Sequence, residues 1–122
     1  MNNDITEDYC SFEIAKLLKE KGFLIPVYSF YGDDTIVYTY STFMVANNEK
    51  DKYERPTHAL VVKWIRENFN WNIEIGYRNS HKDFRAEIYP MFPNTLVGLA
   101  GRHNTHEKAT EAALLYTLTN LI

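Results

Sequence analysis

At 122 residues, with 45% hydrophobic and 15% aromatic side chains and only 5 glycines and 4 prolines, the chain suits one compact unit with a buried core, a single domain over 1–122. Disordered, collagen-like and low-complexity classes are excluded. Thirteen Lys and Arg against 16 Asp and Glu leave a net charge of −3, which supplies no cation excess for duplex nucleic acid.

Cys10 is the single cysteine, which rules out an intrachain disulfide and a C-x-x-C zinc site and fits a reducing compartment. No run approaches the roughly 18 apolar residues of a membrane span, so no membrane partner is expected. The start, Met1-Asn2-Asn3-Asp4, has neither the basic residues nor the apolar stretch of a signal peptide. A cytoplasmic location is expected.

Ser11 is a good N-cap, and Phe12, Ile14, Ala15, Leu17 and Leu18 form one apolar side, so a helix is predicted over about 12–21 with Gly22 as its stop. Two strands follow, Ile25 to Tyr31 and Thr35 to Ala46, joined at Gly32-Asp33-Asp34 as a hairpin. Neither face of the second strand is plainly polar. Asn47 to Arg55 reads as a charged, mobile loop too polar to pack. Thr57 caps a second helix with Leu60, Val61, Trp64 and Ile65 inward, and Trp64 is expected in the core beside Trp71.

Trp71, Ile73, Ile75 and Tyr77, then Phe84, Ala86 and Ile88, alternate with polar residues as two strands with one buried face each. A two-residue turn at Asn79-Ser80 would pair Arg78 with His81 and set Glu74 opposite Arg85. Thr95 to Ala100 could add a third strand. Thr105 caps the last helix, with Ala109, Ala112, Ala113, Leu115, Tyr116 and Leu118 apolar. The predicted fold is α+β, an antiparallel sheet with helices packed mainly on one face, in the order α-ββ-α-ββ(β)-α.

Three segments carry a resemblance. Residues 5–23, from Ile5-Thr6-Glu7-Asp8-Tyr9-Cys10-Ser11 to Lys21-Gly22-Phe23, form the first. Pro56 to Glu67 matches Pro-Thr-x5-Lys-Trp-Leu/Ile-Arg-Glu, and Asn104 to Ala113 matches Asn-Thr-Tyr/His-Glu-x-Ala-x-Glu-Ala-Ala. Together they resemble small uncharacterised proteins of gut Bacteroidetes and their phages, which have no assigned reaction. The resemblance implies a mobile-element setting in a host bacterial cytosol, where such proteins act against host processes by binding a host protein or sequestering a small signal.

Chemistry-bearing residues are few. His103-Asn104-Thr105 fits the His-x-Ser/Thr motif of two-histidine phosphoesterases, but His58, His81 and His106 do not supply the second motif that acid and base would need. A nucleotide phosphodiesterase is therefore the third reading. His103 and His106, with His58 or His81, lack a recognisable metal-ligand spacing, so no metal, no cofactor and no catalytic residue are expected.

Gly101 to His106 reads instead as a loop presenting Arg102, His103 and His106 at a helix N-terminus, where backbone N–H groups favour an anion. The competing reading is a capping Thr105 beside a solvated Arg102. Arg78 and Arg85 would assist from the hairpin, and Tyr38 or Tyr40 would stack on a base. The leading expectation is a non-enzymatic protein that captures a small anionic, nucleotide-derived signal in counter-defence. The alternative is an inhibitor that binds a host enzyme through the aromatic sheet. The crowding of Tyr28, Phe30, Tyr31, Tyr38, Tyr40 and Phe43 on one hairpin also predicts a homodimer or higher homo-oligomer.

Overall fold

A computed structural model describes residues 5–91 and 98–122; for 40–44 and 98–100 it describes the backbone only. Helix α1 spans Phe12–Glu20, α2 His58–Phe69 and α3 His106–Asn120. Their N-caps are Ser11, Thr57 and Thr105, and each hydroxyl accepts a hydrogen bond from the backbone N–H three residues on, at 3.3, 3.2 and 3.1 Å. The first helix ends as Gly22 turns to a φ of +84°, a conformation glycine adopts without a steric penalty.

The fold is α+β, as the pattern of apolar residues predicts. Its strands divide between two antiparallel sheets of three. Strands β1 (Val27–Gly32), β2 (Val37–Met44) and β3 (Lys52–Glu54) lie in the order β2-β1-β3. Strands β4 (Trp71–Arg78), β5 (Asp83–Pro90) and β6 (Gly98–His103) lie in the order β4-β5-β6. The predicted third strand thus begins at Gly98, and Thr95 to Val97 lie outside the described residues.

Strand β3 corrects the expectation of a mobile loop at 47–55. The Asn47 side chain donates to the Phe23 carbonyl at 2.8 Å and accepts from the Glu54 N–H at 2.8 Å, which folds the segment back beside β1. A charged composition does not prevent packing when one amide side chain closes the loop. Glu54 is fully buried as a result.

The second hairpin also departs from its predicted register. Arg78 pairs with Asp83, Gly76 with Arg85, and Glu74 with Glu87. The connection is four residues, Asn79 to Lys82, with Lys82 at φ +51°. A slip of two residues leaves every side chain on its original face, so alternation cannot separate the two registers. The bidentate pair from Arg78 Nε and Nη2 to Asp83, 2.9 Å each, favours the longer connection.

Helices α2 and α3 lie against one face of β4-β5-β6, and α1 packs on α3 and β3. Ile14 and Leu18, Val61 and Ile65, and Leu114 and Leu118 are buried together with Ile73, Ala86 and Ile88. Each such side chain contributes roughly 1.5–3 kcal/mol when fully buried. Trp64 packs edge-on against Phe23 and Phe69, with Trp71 partly buried at the margin of the same core. In α3 the buried stripe includes Thr110 and Thr117, whose hydroxyls donate to the carbonyls four residues back at 2.9 and 2.8 Å. Leu115 and Tyr116, expected on that stripe, are only partly buried.

Candidate functional site

The sheet separates the predicted ligand residues. Arg78, Arg85 and Arg102 share the outer face of β4-β5-β6, away from the helices. Arg102 is not in a loop, because β6 continues to His103 and only Asn104 separates it from the cap. His103 pairs with Phe84 on the helix side, and the His106 ring meets Phe84 edge-on at 5.9 Å. Tyr38 belongs to the other sheet, where it stacks on Phe30 and donates to Asp34 at 2.9 Å. The Tyr40 side chain lies outside the described residues. The three arginines therefore come together, while the two histidines and Tyr38 stand elsewhere.

On the outer face Arg85 sits directly across from Arg102, and across from Gly76 on its other side. Adjacent like charges are unfavourable. A Cβ added at Gly76 would meet nothing within 4 Å, so the floor there is open, and a depression of about 340 Å³ lies over it between Arg78, Arg85, Glu74 and Glu87. Arg85 Nε is buried without a hydrogen-bond acceptor, and Glu87 approaches Nη2 only to 3.5 Å. Arg78 is held by Asp83, whose carboxyl that hydrogen bond keeps below the usual range; Arg102 Nε reaches the same carboxylate at 3.9 Å. Glu74 accepts hydrogen bonds from Tyr89 and Asn72.

A second constellation lies on the helix side. His58 Nε2 shares a 2.6 Å hydrogen bond with Glu111 Oε2, which also accepts from the Ser11 N–H at 3.3 Å. The Cys10 thiol is beside them: ligand atoms of Cys10, His58 and Glu111 all lie within 4.8 Å of one another. Backbone bonds fix the geometry. Cys10 N–H donates to Pro56 O at 2.9 Å, His58 N–H to Asp8 O at 2.8 Å, and Tyr9 and Thr57 form an antiparallel bridge between them. Tyr31 adds a 2.5 Å hydrogen bond from its hydroxyl to the Cys10 carbonyl.

Burial pushes the Cys10 thiol far up, and the Glu111 charge adds to it. Burial also acts to raise Glu111, but the hydrogen bonds from His58 and Ser11 prevail and hold it below its ordinary value. His58 Nδ1 is buried with no partner. The His58 side chain also lines a cleft of about 300 Å³ with Glu7, Asp8, His106 and Thr110 over an apolar floor that includes Val62 and Ile73.

Sequence reasoning misses this cluster because its members stand on the segment before α1, on α2 and on α3, with His58 and Glu111 53 positions apart. The available signal is small: a carboxylate inside the Ala-rich stripe of α3, and a histidine at the first position of a capped helix. No protein-family model, curated protein or solved structure matches the chain.

Proposed function

We propose that the protein is a non-enzymatic binding protein that captures a small, nucleotide-derived anion on the outer face of β4-β5-β6, in the counter-defence setting that the resemblance implies. The observation that carries this reading is the buried, acceptor-less Nε of Arg85, with Arg102 across from it on one side and the open floor at Gly76 on the other. An anion seated against Arg85 would satisfy Nε and offset the repulsion between its guanidinium and that of Arg102. Arg78, already oriented by Asp83, would add a third positive edge. His103 and His106, on the opposite side of the sheet, have no part in this site.

Calorimetric titration with pyrophosphate and with cyclic dinucleotides tests it. Charge-assisted bonds of roughly 1.5–3 kcal/mol predict that Arg85→Gln weakens binding about 10- to 100-fold. Arg102→Ala, more exposed, should cost less, and His106→Ala nothing. Equal binding by Arg85→Gln and the wild type would end the proposal, as would no binding of either probe.

A second reading, a protein-interaction surface, is favoured by the first hairpin. Ile36 is 57% exposed, Tyr28 50%, Val37 43% and Tyr38 42%, and β2 is an edge strand of its sheet. A second copy of the chain is the partner best suited to such an edge, since edge-to-edge pairing uses the same backbone groups on both sides.

A further inference from the structure

We infer that Cys10, His58 and Glu111 together form a site for one divalent transition-metal ion of the zinc class. A thiolate sulfur, an imidazole nitrogen and a carboxylate oxygen make a donor set that zinc and cobalt accept, leaving a fourth position for water. The three ligand atoms lie within 4.8 Å of one another, close enough to converge on one ion with small side-chain shifts.

The imidazole is enclosed beside the thiol. One nitrogen is tied to Glu111 and the other is buried with no partner, in a side chain only 8% exposed. Whichever tautomer the ring adopts, a lone pair or a proton is left unsatisfied inside the core. An ion held through Nε2 would take the place of the hydrogen bond to Glu111 and leave Nδ1 without a partner, so the inference rests on the convergence of the three ligand atoms, the thiol beside the His–Glu pair included.

Charge bookkeeping favours the ion as well. A thiolate, a carboxylate and a neutral imidazole carry −2, which a divalent ion cancels, so the loaded site is neutral in a low-dielectric surrounding. On binding, the Cys10 S–H bond breaks, a sulfur–metal bond forms and the thiol proton leaves to solvent, while the proton between His58 Nε2 and Glu111 shifts to Nδ1 so that Nε2 and the carboxylate both face the ion. The ligands are also held from outside. Ser11 N–H orients the Glu111 carboxylate, and the backbone bonds at Cys10 and His58 fix the two segments that carry them. Of the three ligands, His58 lines the neighbouring cleft.

Cobalt(II) titration of the chelator-treated protein tests the assignment. The wild type should bind one equivalent, with a sulfur-to-cobalt charge-transfer band in the near ultraviolet, the visible bands of four-coordinate cobalt, and displacement by zinc. Zinc should raise the melting temperature, and binding should release protons. Cys10→Ser should lose the charge-transfer band and weaken binding more than about 100-fold, while His81→Ala changes nothing. If Cys10→Ser does not fold, Glu111→Gln provides the second reading: the charge-transfer band stays, the visible bands change and affinity falls. Absence of a charge-transfer band at saturating cobalt, or equal stabilisation of Cys10→Ser and wild type by zinc, would overturn the inference.

Discussion

A carboxyl group sealed from water without a full hydrogen bond, as at Glu54, keeps its proton past neutrality. Burial raises it from 4.5 to about 8, with the backbone N–H groups of Ala46 and Asn47 pulling weakly the other way and both oxygens left unsatisfied. Between those values the folded chain holds a proton that the unfolded chain has released, so stability falls as pH rises from about 4.5 to about 8 and levels off above. The slope is up to about 1.4 kcal/mol per pH unit. Glu54→Gln should flatten it, melting near the wild type at pH 5 and several degrees above it at pH 8.5; parallel melting curves across that range would refute the assignment. Glu111 acts in the opposite sense, since its lowered carboxyl contributes stability that is present above the ordinary carboxylate range and lost as pH falls through the folded value.

At the level of elements, local chemistry and long-range assembly part company. The caps at Ser11, Thr57 and Thr105 are legible because a cap is decided within four residues, and all three helices begin where their hydroxyls predict. Thr105→Ala should therefore lose about 1 kcal/mol by chemical denaturation, whereas Arg102→Ala, an exposed side chain with one partner at 3.9 Å, should change little. The turn of the first hairpin holds strain: Thr35, β-branched, sits at φ +66°. Thr35→Gly should raise stability by about 1 kcal/mol, and a loss instead would show that its side chain repays the strain. The hairpin register, strand β3 and the Cys10, His58 and Glu111 cluster are not legible. A two-residue slip preserves alternation, β3 depends on one asparagine folding a polar segment back, and the cluster is assembled by packing α2 and α3 with the segment before α1. Arg78, Arg85 and Arg102 are found from sequence as residues but not as a sheet face, because their grouping requires the pairing of β5 with β6.

Across the whole molecule, the two ends of the chain are stitched together. Ser11 N–H meets Glu111 and Lys21 Nζ donates to the Ile122 carbonyl at 2.7 Å, contacts separated by 100 and 101 residues. Strand β2 is an exposed edge of the first sheet, and light scattering at micromolar concentration should give at least twice the 14.3 kDa chain mass, reverting to one chain in Val37→Lys. A monomeric wild type would remove the argument from the edge strand. The sole thiol, enclosed where the first and last helices meet, is also a natural clock for opening. A reagent that reacts only with exposed sulfur can reach it only when that enclosure opens, so the limiting rate of labelling equals the rate of opening. Should labelling keep pace with loss of the circular dichroism signal, the chain opens as one body. Labelling that runs ahead would show that the segment before Phe12 peels away first, taking one wall of the His58 pocket with it.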